Sequence, residues 1–162
     1  MRRIIIGFST PINFKIGSSL IRLFEKSDFS HIYIKMEPSE KSKLPFSKVF
    51  QASHGDVNCM EFEVFKSKNK IIHEYEIIIT DKEYYDVATW LWLQLGKPYG
   101  FAQLVAIAFN NNFLGNNDNK FICSELAGMV LRDYLGYNIN DNLDYIGLND
   151  IKDILEAAND KN

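Results

Sequence analysis

The chain contains the stretch Phe121-Ile122-Cys123-Ser124-Glu125-Leu126-Ala127-Gly128-Met129-Val130-Leu131. It predicts an amphipathic helix that begins at Cys123, with Ser124 and Glu125 in the first turn and Leu126 and Val130 on the inward face. A thiol at a helix start lies near the positive end of the helix dipole, which favours the thiolate. Cys123 is therefore a candidate nucleophile. The alternative is that it is a small buried apolar residue, as free cysteines often are.

Length and composition indicate one well-packed domain over residues 1–162, with 46% hydrophobic and 14% aromatic residues. The 18 basic and 21 acidic residues are well mixed, so composition gives little support for nucleic-acid binding. Two cysteines are too few for a disulfide framework. The N-terminal apolar run is too short for a signal peptide, and residues 101–109 are too few to span a bilayer. We therefore expect a cytoplasmic protein.

Apolar periodicity and turn residues predict an α+β fold, in which a strand, a helix and an antiparallel meander precede the remaining helices. We expect Asp81 and Asn149 to cap the two helices that they begin, and Tyr85 to be among the inward residues of the first of these. The predicted strands are 2–9, 29–36, 47–53, 57–65 and 71–80, and the predicted helices are 15–26, 81–95, 101–109, 122–135 and 149–158.

Two polar side chains on neighbouring predicted strands complete a possible site. His31 begins the strand Phe29 to Met36, and Gln51 lies on the next strand. If the strands are paired, Gln51 can hydrogen-bond one ring nitrogen of His31 and leave the other to serve Cys123. Together the three side chains would form a Cys-His acyl-transfer site with a polar orienting residue. A structural role for the histidine is the alternative.

Four segments resemble the motifs of the NlpC-type cell-wall peptidases. Gly96-Lys97-Pro98-Tyr99-Gly100-Phe101 and the cysteine stretch are similar to the family's G-x-P-Y and D-C-S-G-L patterns. Ser30-His31-Ile32-Tyr33-Ile34 and Phe50-Gln51-Ala52 are similar to its H-V-G-I-Y and E-A strands. Here the histidine strands precede the cysteine, an order that resembles the circularly permuted, YiiX-like branch of the papain-like superfamily. The resemblance covers most of the chain.

The resemblance implies a papain-like fold without a cofactor, in which the nucleophile begins a helix that packs on an antiparallel sheet or small barrel. It implies Cys123 as nucleophile, His31 as general base and Gln51 as the third residue. Tyr99 would line the site and help to hold the oxyanion. Ser124 and Glu125 are further candidate contacts to the substrate or oxyanion, and for Glu125 a favourable interaction with the helix dipole is the alternative.

Three functions remain open at this stage. The first is a cysteine hydrolase that cleaves an amide, isopeptide or ester bond in a small peptide or an acyl lipid. The second is a lipid or amine acyltransferase with the same triad. The third is a non-catalytic acyl- or peptide-binding protein, because Gln51 cannot offset the charge of an imidazolium as a carboxylate would. A zinc site is disfavoured, since no pair of histidines or cysteines has ligand spacing. The sequence leaves the oligomeric state open.

Overall fold

The computed structural model describes residues 1–13, 16–38, 46–53, 55–100, 120–139 and 142–160. These residues form the expected α+β fold, whose antiparallel sheet has the strand order β4-β3-β2-β1-β5. The strands are β1 (Arg2–Pro11), β2 (His31–Met36), β3 (Lys48–Ser53), β4 (Asp56–Glu61) and β5 (Asn69–Ile79). The helices are α1 (Ile16–Glu25), α2 (Phe62–Lys66), α3 (Asp81–Gln94), α4 (Cys123–Met129) and α5 (Leu148–Asn159).

The central strand β1 pairs with β2 on one side and with β5 on the other. Its contiguous apolar residues are buried because both faces of the sheet are covered. On the next strand Ile32, Ile34 and Met36 share one face, as the alternation predicted, and they belong to the main apolar core. Helix α4 packs against β2 and β3. The cysteine helix is thus placed on the strands that carry His31 and Gln51.

The strand predicted over 57–65 is wrong in its second half, because β4 ends at Glu61 and the short helix α2 follows. Phe62 and Phe65 lie three residues apart and share a helical face. With Tyr33 and Val49 they form a second apolar cluster. A continued strand would place Phe62 and Phe65 on opposite faces, so the helical turn is the arrangement that lets both rings pack there.

The N-cap of helix α3 lies one residue before the predicted cap. Thr80, and not Asp81, is the N-cap, with its hydroxyl accepting the Glu83 N–H while the Glu83 carboxylate accepts the Thr80 N–H. Tyr85, predicted to face inward, is 44% exposed, and Tyr84 is the buried tyrosine. Gly96 follows the helix with φ of 81°, a conformation that glycine adopts without strain.

The C-terminal helices also differ in detail from the prediction. Helix α4 passes at Val130–Tyr134 into a π-helical segment, and a 3₁₀ turn at Leu143–Tyr145 precedes α5. Gly147, and not Asn149, caps α5, because the Asp150 carboxylate accepts the Gly147 N–H at 2.8 Å. The helix predicted over 101–109 lies outside the described residues. Among the helices that the structure describes, none has the length and apolarity needed to span a bilayer.

Candidate functional site

The predicted hydrogen bond between His31 and Gln51 is present. His31 is the first residue of β2, and its Nε2 atom lies 2.7 Å from Oε1 of Gln51 on the neighbouring strand. The His31 ring also lies beside Phe65 of α2, with the ring centroids 6.3 Å apart. An imidazole held by an amide on one side and by an aromatic ring on another has a restricted orientation. The catalytic role of this pair stays a prediction.

The Gln51 side chain is itself held by a polar group that the sequence reasoning missed. Its Nε2 atom donates to Oδ1 of Asn58 at 3.0 Å, and Asn58 is the residue directly opposite Gln51 in the β3–β4 pair. The sequence signal was the turn composition of His54-Gly55-Asp56 between the predicted strands 47–53 and 57–65, although a three-residue turn there would pair Ser53 with Val57, one residue off the observed register. A two-residue turn places Ser53 opposite Asp56, and counting back from that pair places Gln51 opposite Asn58.

Cys123 is the first residue of α4 and follows Ile122, whose backbone is extended. The cysteine is 3% exposed and belongs to the same core cluster as Ile32 and Ala52, which are the chain neighbours of His31 and Gln51. The predicted helix start is therefore correct.

Tyr99 is positioned by main-chain hydrogen bonds that join residues 96–99 to the start of β4. The Tyr99 N–H donates to the Gly55 carbonyl at 2.9 Å, and Tyr99 forms a parallel bridge with Phe121, two residues before Cys123. The Gly100 N–H donates to the Phe121 carbonyl at 2.9 Å. The approach segment and the residues before the cysteine are thus fixed relative to each other.

Burial and the Cys123 thiol both influence the ionisation of the Tyr99 phenol. Burial raises the pKa of Tyr99, and the charge of a Cys123 thiolate raises it further. Tyr99 therefore stays protonated well above neutral pH and keeps an O–H donor. A neutral donor beside a thiol is suited to stabilise a developing oxyanion.

Ser124 and Glu125 are both buried in the first turn of α4. The Ser124 hydroxyl donates to the Ile146 carbonyl at 2.6 Å, a contact that ties α4 to the segment before α5. This hydrogen bond gives Ser124 an anchoring role in the fold. Its predicted contact with substrate, and that of Glu125, remain untested.

Within the described part of the chain, no three His, Cys, Asp or Glu side chains are grouped closely enough to hold a metal ion. His54, one of the possible ligands, lies outside the described residues. Cys59 is half-buried on β4 and faces Phe50 in the strand pairing. Imidazole, thiol and phenol groups can take part in proton transfer or nucleophilic attack, whereas the amides of Gln51 and Asn58 can only orient them through hydrogen bonds.

An apolar cavity of about 100 Å³ lies near Met36, at the opposite end of β2 from His31. It is therefore separate from the cysteine site. Its lining residues are Met36, Glu37, Pro38, Phe46, Lys48, Phe50, Tyr84, Tyr85, Ala88 and Trp92.

Comparison with protein-family models and with curated proteins gives no match for this chain. The side chains of His31, Gln51, Tyr99 and Cys123 are therefore the features of the molecule that bear on its function.

Proposed function

We propose that the protein is a cysteine hydrolase of the circularly permuted papain-like type, which cleaves an amide, isopeptide or ester bond through a thioester. The observation that carries the proposal is the 2.7 Å contact between His31 Nε2 and Gln51 Oε1 on strands against which the cysteine helix packs. A histidine held in this way can act as a general base, and a thiol at a helix start is a suitable nucleophile.

The proposed reaction begins when His31 takes the Cys123 proton at Nδ1, since its Nε2 atom is occupied by Gln51. The thiolate then forms a carbon–sulfur bond with the substrate carbonyl, whose oxygen becomes negatively charged. Collapse of this intermediate breaks the bond to the leaving amine or alcohol, which takes the proton from His31. Water, deprotonated by His31, then attacks the thioester and releases the acid and the thiol.

Oxyanion stabilisation is assigned to two donors, the Tyr99 hydroxyl and the Cys123 N–H at the start of α4. Tyr99 supports this assignment because burial raises its pKa and so keeps the hydroxyl protonated. A pair of fixed donors aimed at the developing charge is the usual means of stabilising a tetrahedral intermediate.

The proposal is tested by the pH dependence of Cys123 alkylation with iodoacetamide, measured in a Cys59→Ser background. We expect the alkylation midpoint to lie below the reference thiol pKa of about 8.5, because an imidazolium stabilises the thiolate. In the His31→Ala variant the midpoint should rise. Cys59 is removed because it is the other thiol of the chain. Burial raises the pKa of Cys59, with a smaller opposing effect from Lys48.

A matched control is His73→Ala, which removes a histidine of β5 that stacks near Phe29 and Tyr75. This variant should leave the midpoint unchanged. A midpoint at the reference value in both the parent protein and the His31→Ala variant would contradict the proposed thiolate–imidazolium pair.

Candidate substrates are small peptides, isopeptides and acyl lipids. Transfer of the acyl group to a lipid or amine would use the same first half-reaction. In the second, the lipid or amine would take the place of water. Mass spectrometry of the products from a set of acyl donors, with and without an added amine, separates hydrolysis from transfer. The free acid is the expected product, and an amide formed in its place would assign a transferase.

The burial of the thiol favours one second candidate, a non-catalytic protein that binds an acyl or peptide ligand. Cys123 is 3% exposed and lies within the apolar core cluster. Under this hypothesis Cys123 would react slowly, at the reference midpoint, and His31→Ala would not alter its reactivity. The alkylation experiment therefore distinguishes the two candidates directly.

A further inference from the structure

The polar chain that holds His31 continues through the side chains of Gln51, Asn58 and Asp56, and Asp56 is the first residue of β4. Gln51 donates from Nε2 to Asn58 Oδ1 at 3.0 Å. Asn58 in turn donates from Nδ2 to the carboxylate of Asp56 at 3.2 Å and to the Asp56 carbonyl at 3.4 Å. It also lies 3.1 Å from the hydroxyl of Ser53, which is paired with Asp56 across the turn. The chain of contacts therefore ends on the Ser53 hydroxyl, which can donate or accept, and on two Asp56 oxygens, which can only accept.

This end point fixes the direction of each hydrogen bond in turn. Because both Asp56 oxygens are acceptors, Asn58 must direct its NH₂ group toward them and its carbonyl toward Gln51. Gln51 must then direct its own NH₂ group toward Asn58, where Met60 Sδ lies 3.9 Å away as a second, weak acceptor. The Gln51 carbonyl is left facing His31, so Nε2 of His31 must carry a proton.

We infer that Asn58 is a positioning residue which, anchored by Asp56, fixes neutral His31 as the Nε2–H tautomer and leaves Nδ1 as the basic nitrogen. An amide flip at Gln51 would present its NH₂ group to His31 and favour the opposite tautomer, whose Nδ1 cannot accept a proton. The orientation of the Asn58 amide would thus decide whether His31 can act as a base.

The inference concerns the resting imidazole, and only its consequence for reaction rate rests on the proposed function. The test is therefore made in Cys123→Ala protein, in which no thiolate can charge the imidazole. The nitrogen-15 chemical shifts of the His31 ring are measured by NMR at pH 8.5, well above the reference histidine pKa of about 6.5. His31 is assigned by the loss of its signals in a His31→Ala variant.

We expect Nε2 to show the shift of a protonated ring nitrogen and Nδ1 that of an unprotonated one. In Asn58→Leu, the acceptor for Gln51 is lost, and the tautomer ratio should move toward Nδ1–H by about fivefold, the effect of one neutral hydrogen bond. A dominant Nδ1–H tautomer in the parent, or an unchanged ratio in Asn58→Leu, would overturn the inference.

A rescue variant separates positioning from a general structural effect. Gln51→Glu places a carboxylate beside His31, and a carboxylate can only accept. Adding Gln51→Glu to Asn58→Leu should therefore restore the Nε2–H tautomer, although Asn58 is still missing. Failure of this rescue would show that Asn58→Leu acts through the fold and would overturn the assignment. These outcomes do not depend on Cys123 alkylation, so the tautomer inference and the proposed function can fail separately.

Discussion

Gly7 and Tyr33 are directly paired across β1 and β2, and the Tyr33 ring covers the Gly7 backbone. A Cβ atom at Gly7 would overlap Cζ of Tyr33. The Tyr33 hydroxyl reaches over Gly7 to donate to Glu74 on β5 at 2.7 Å, and Lys35 forms an ion pair with the same carboxylate at 3.2 Å. Glycine is thus required where one side chain crosses a neighbouring strand.

Gly7→Ala should destabilise the protein by about 2 kcal/mol or more, because Tyr33 must leave a fully buried position to admit a methyl group. The free energy of unfolding in urea measures this loss. Tyr33→Phe is the matched control, since it removes the hydrogen bond to Glu74 without creating the clash. If Gly7→Ala were as stable as the parent, the close approach of Tyr33 to Gly7 would be wrong.

Tyr99→Phe should reduce the loss of stability at alkaline pH. Burial raises the pKa of Tyr99 in the folded protein, so above pH 10 the unfolded chain releases this proton while the folded chain retains it. Below the unfolded pKa of about 10, the titration of Tyr99 does not lower the free energy of unfolding. Above it, the free energy of unfolding falls as the pH rises, by about 1 kcal/mol at pH 11.

The measurement for Tyr99 is the difference between the free energies of unfolding at pH 8 and pH 11. That difference should be smaller in Tyr99→Phe than in the parent protein. Tyr85→Phe, which removes an exposed phenol, serves as the control and should retain the parent difference. An identical pH dependence in Tyr99→Phe and the parent would contradict the burial of the Tyr99 hydroxyl.

Replacement by alanine should change the free energy of unfolding differently at two buried serines. The Ser9 hydroxyl is fully buried and has no hydrogen-bond partner among the described residues, so Ser9→Ala should leave stability unchanged or raise it slightly. Ser124→Ala removes a donor 2.6 Å from the Ile146 carbonyl and should cost about 1–3 kcal/mol. Urea unfolding of both variants tests the pair. A loss of more than 1 kcal/mol in Ser9→Ala would mean that its hydroxyl has a partner.

Thr80→Ala should destabilise α3 by about 1 kcal/mol, because the Thr80 hydroxyl accepts the Glu83 N–H at the start of the helix. Thr80→Ser retains a hydroxyl that can make the same contact and should recover most of the loss. The thermal midpoint of unfolding, followed by circular dichroism, compares the two variants. Equal midpoints for alanine and serine would show that the cap does not contribute.

The first two strands of the meander were predicted because turn residues bound them and the strand from His31 to Met36 alternates. The contact between His31 and Gln51 was predicted from their placement on successive strands alone, although it also requires the register that pairs Ile34 with Phe50. Helix α2 was missed because five residues are too few to establish a helical period, even though Phe62 and Phe65 have helical spacing. The cap of α3 was misplaced because Thr80 and Asp81 are adjacent residues that both favour such positions.

The rest of the site depends on contacts that local periodicity does not encode. Tyr99 is placed by main-chain bonds to Gly55 and by a bridge to Phe121, both distant in sequence. Asn58 enters the polar chain only through the β3–β4 register, which depends on turn geometry as well as on the apolar pattern of the strands. The resemblance to the NlpC-type motifs predicted Tyr99 as a residue of the site, but it gave no prediction for Asn58.

All five described strands lie between Arg2 and Ile79, whereas Cys123 comes much later in the chain. During synthesis, N-terminal segments leave the ribosome first and have the earliest opportunity to fold. The strands that hold His31 and Gln51 therefore emerge, and have time to pair, before the proposed nucleophile has been made. In a growing polypeptide this order postpones the arrival of the proposed nucleophile until the proposed base and orienting amide are already available.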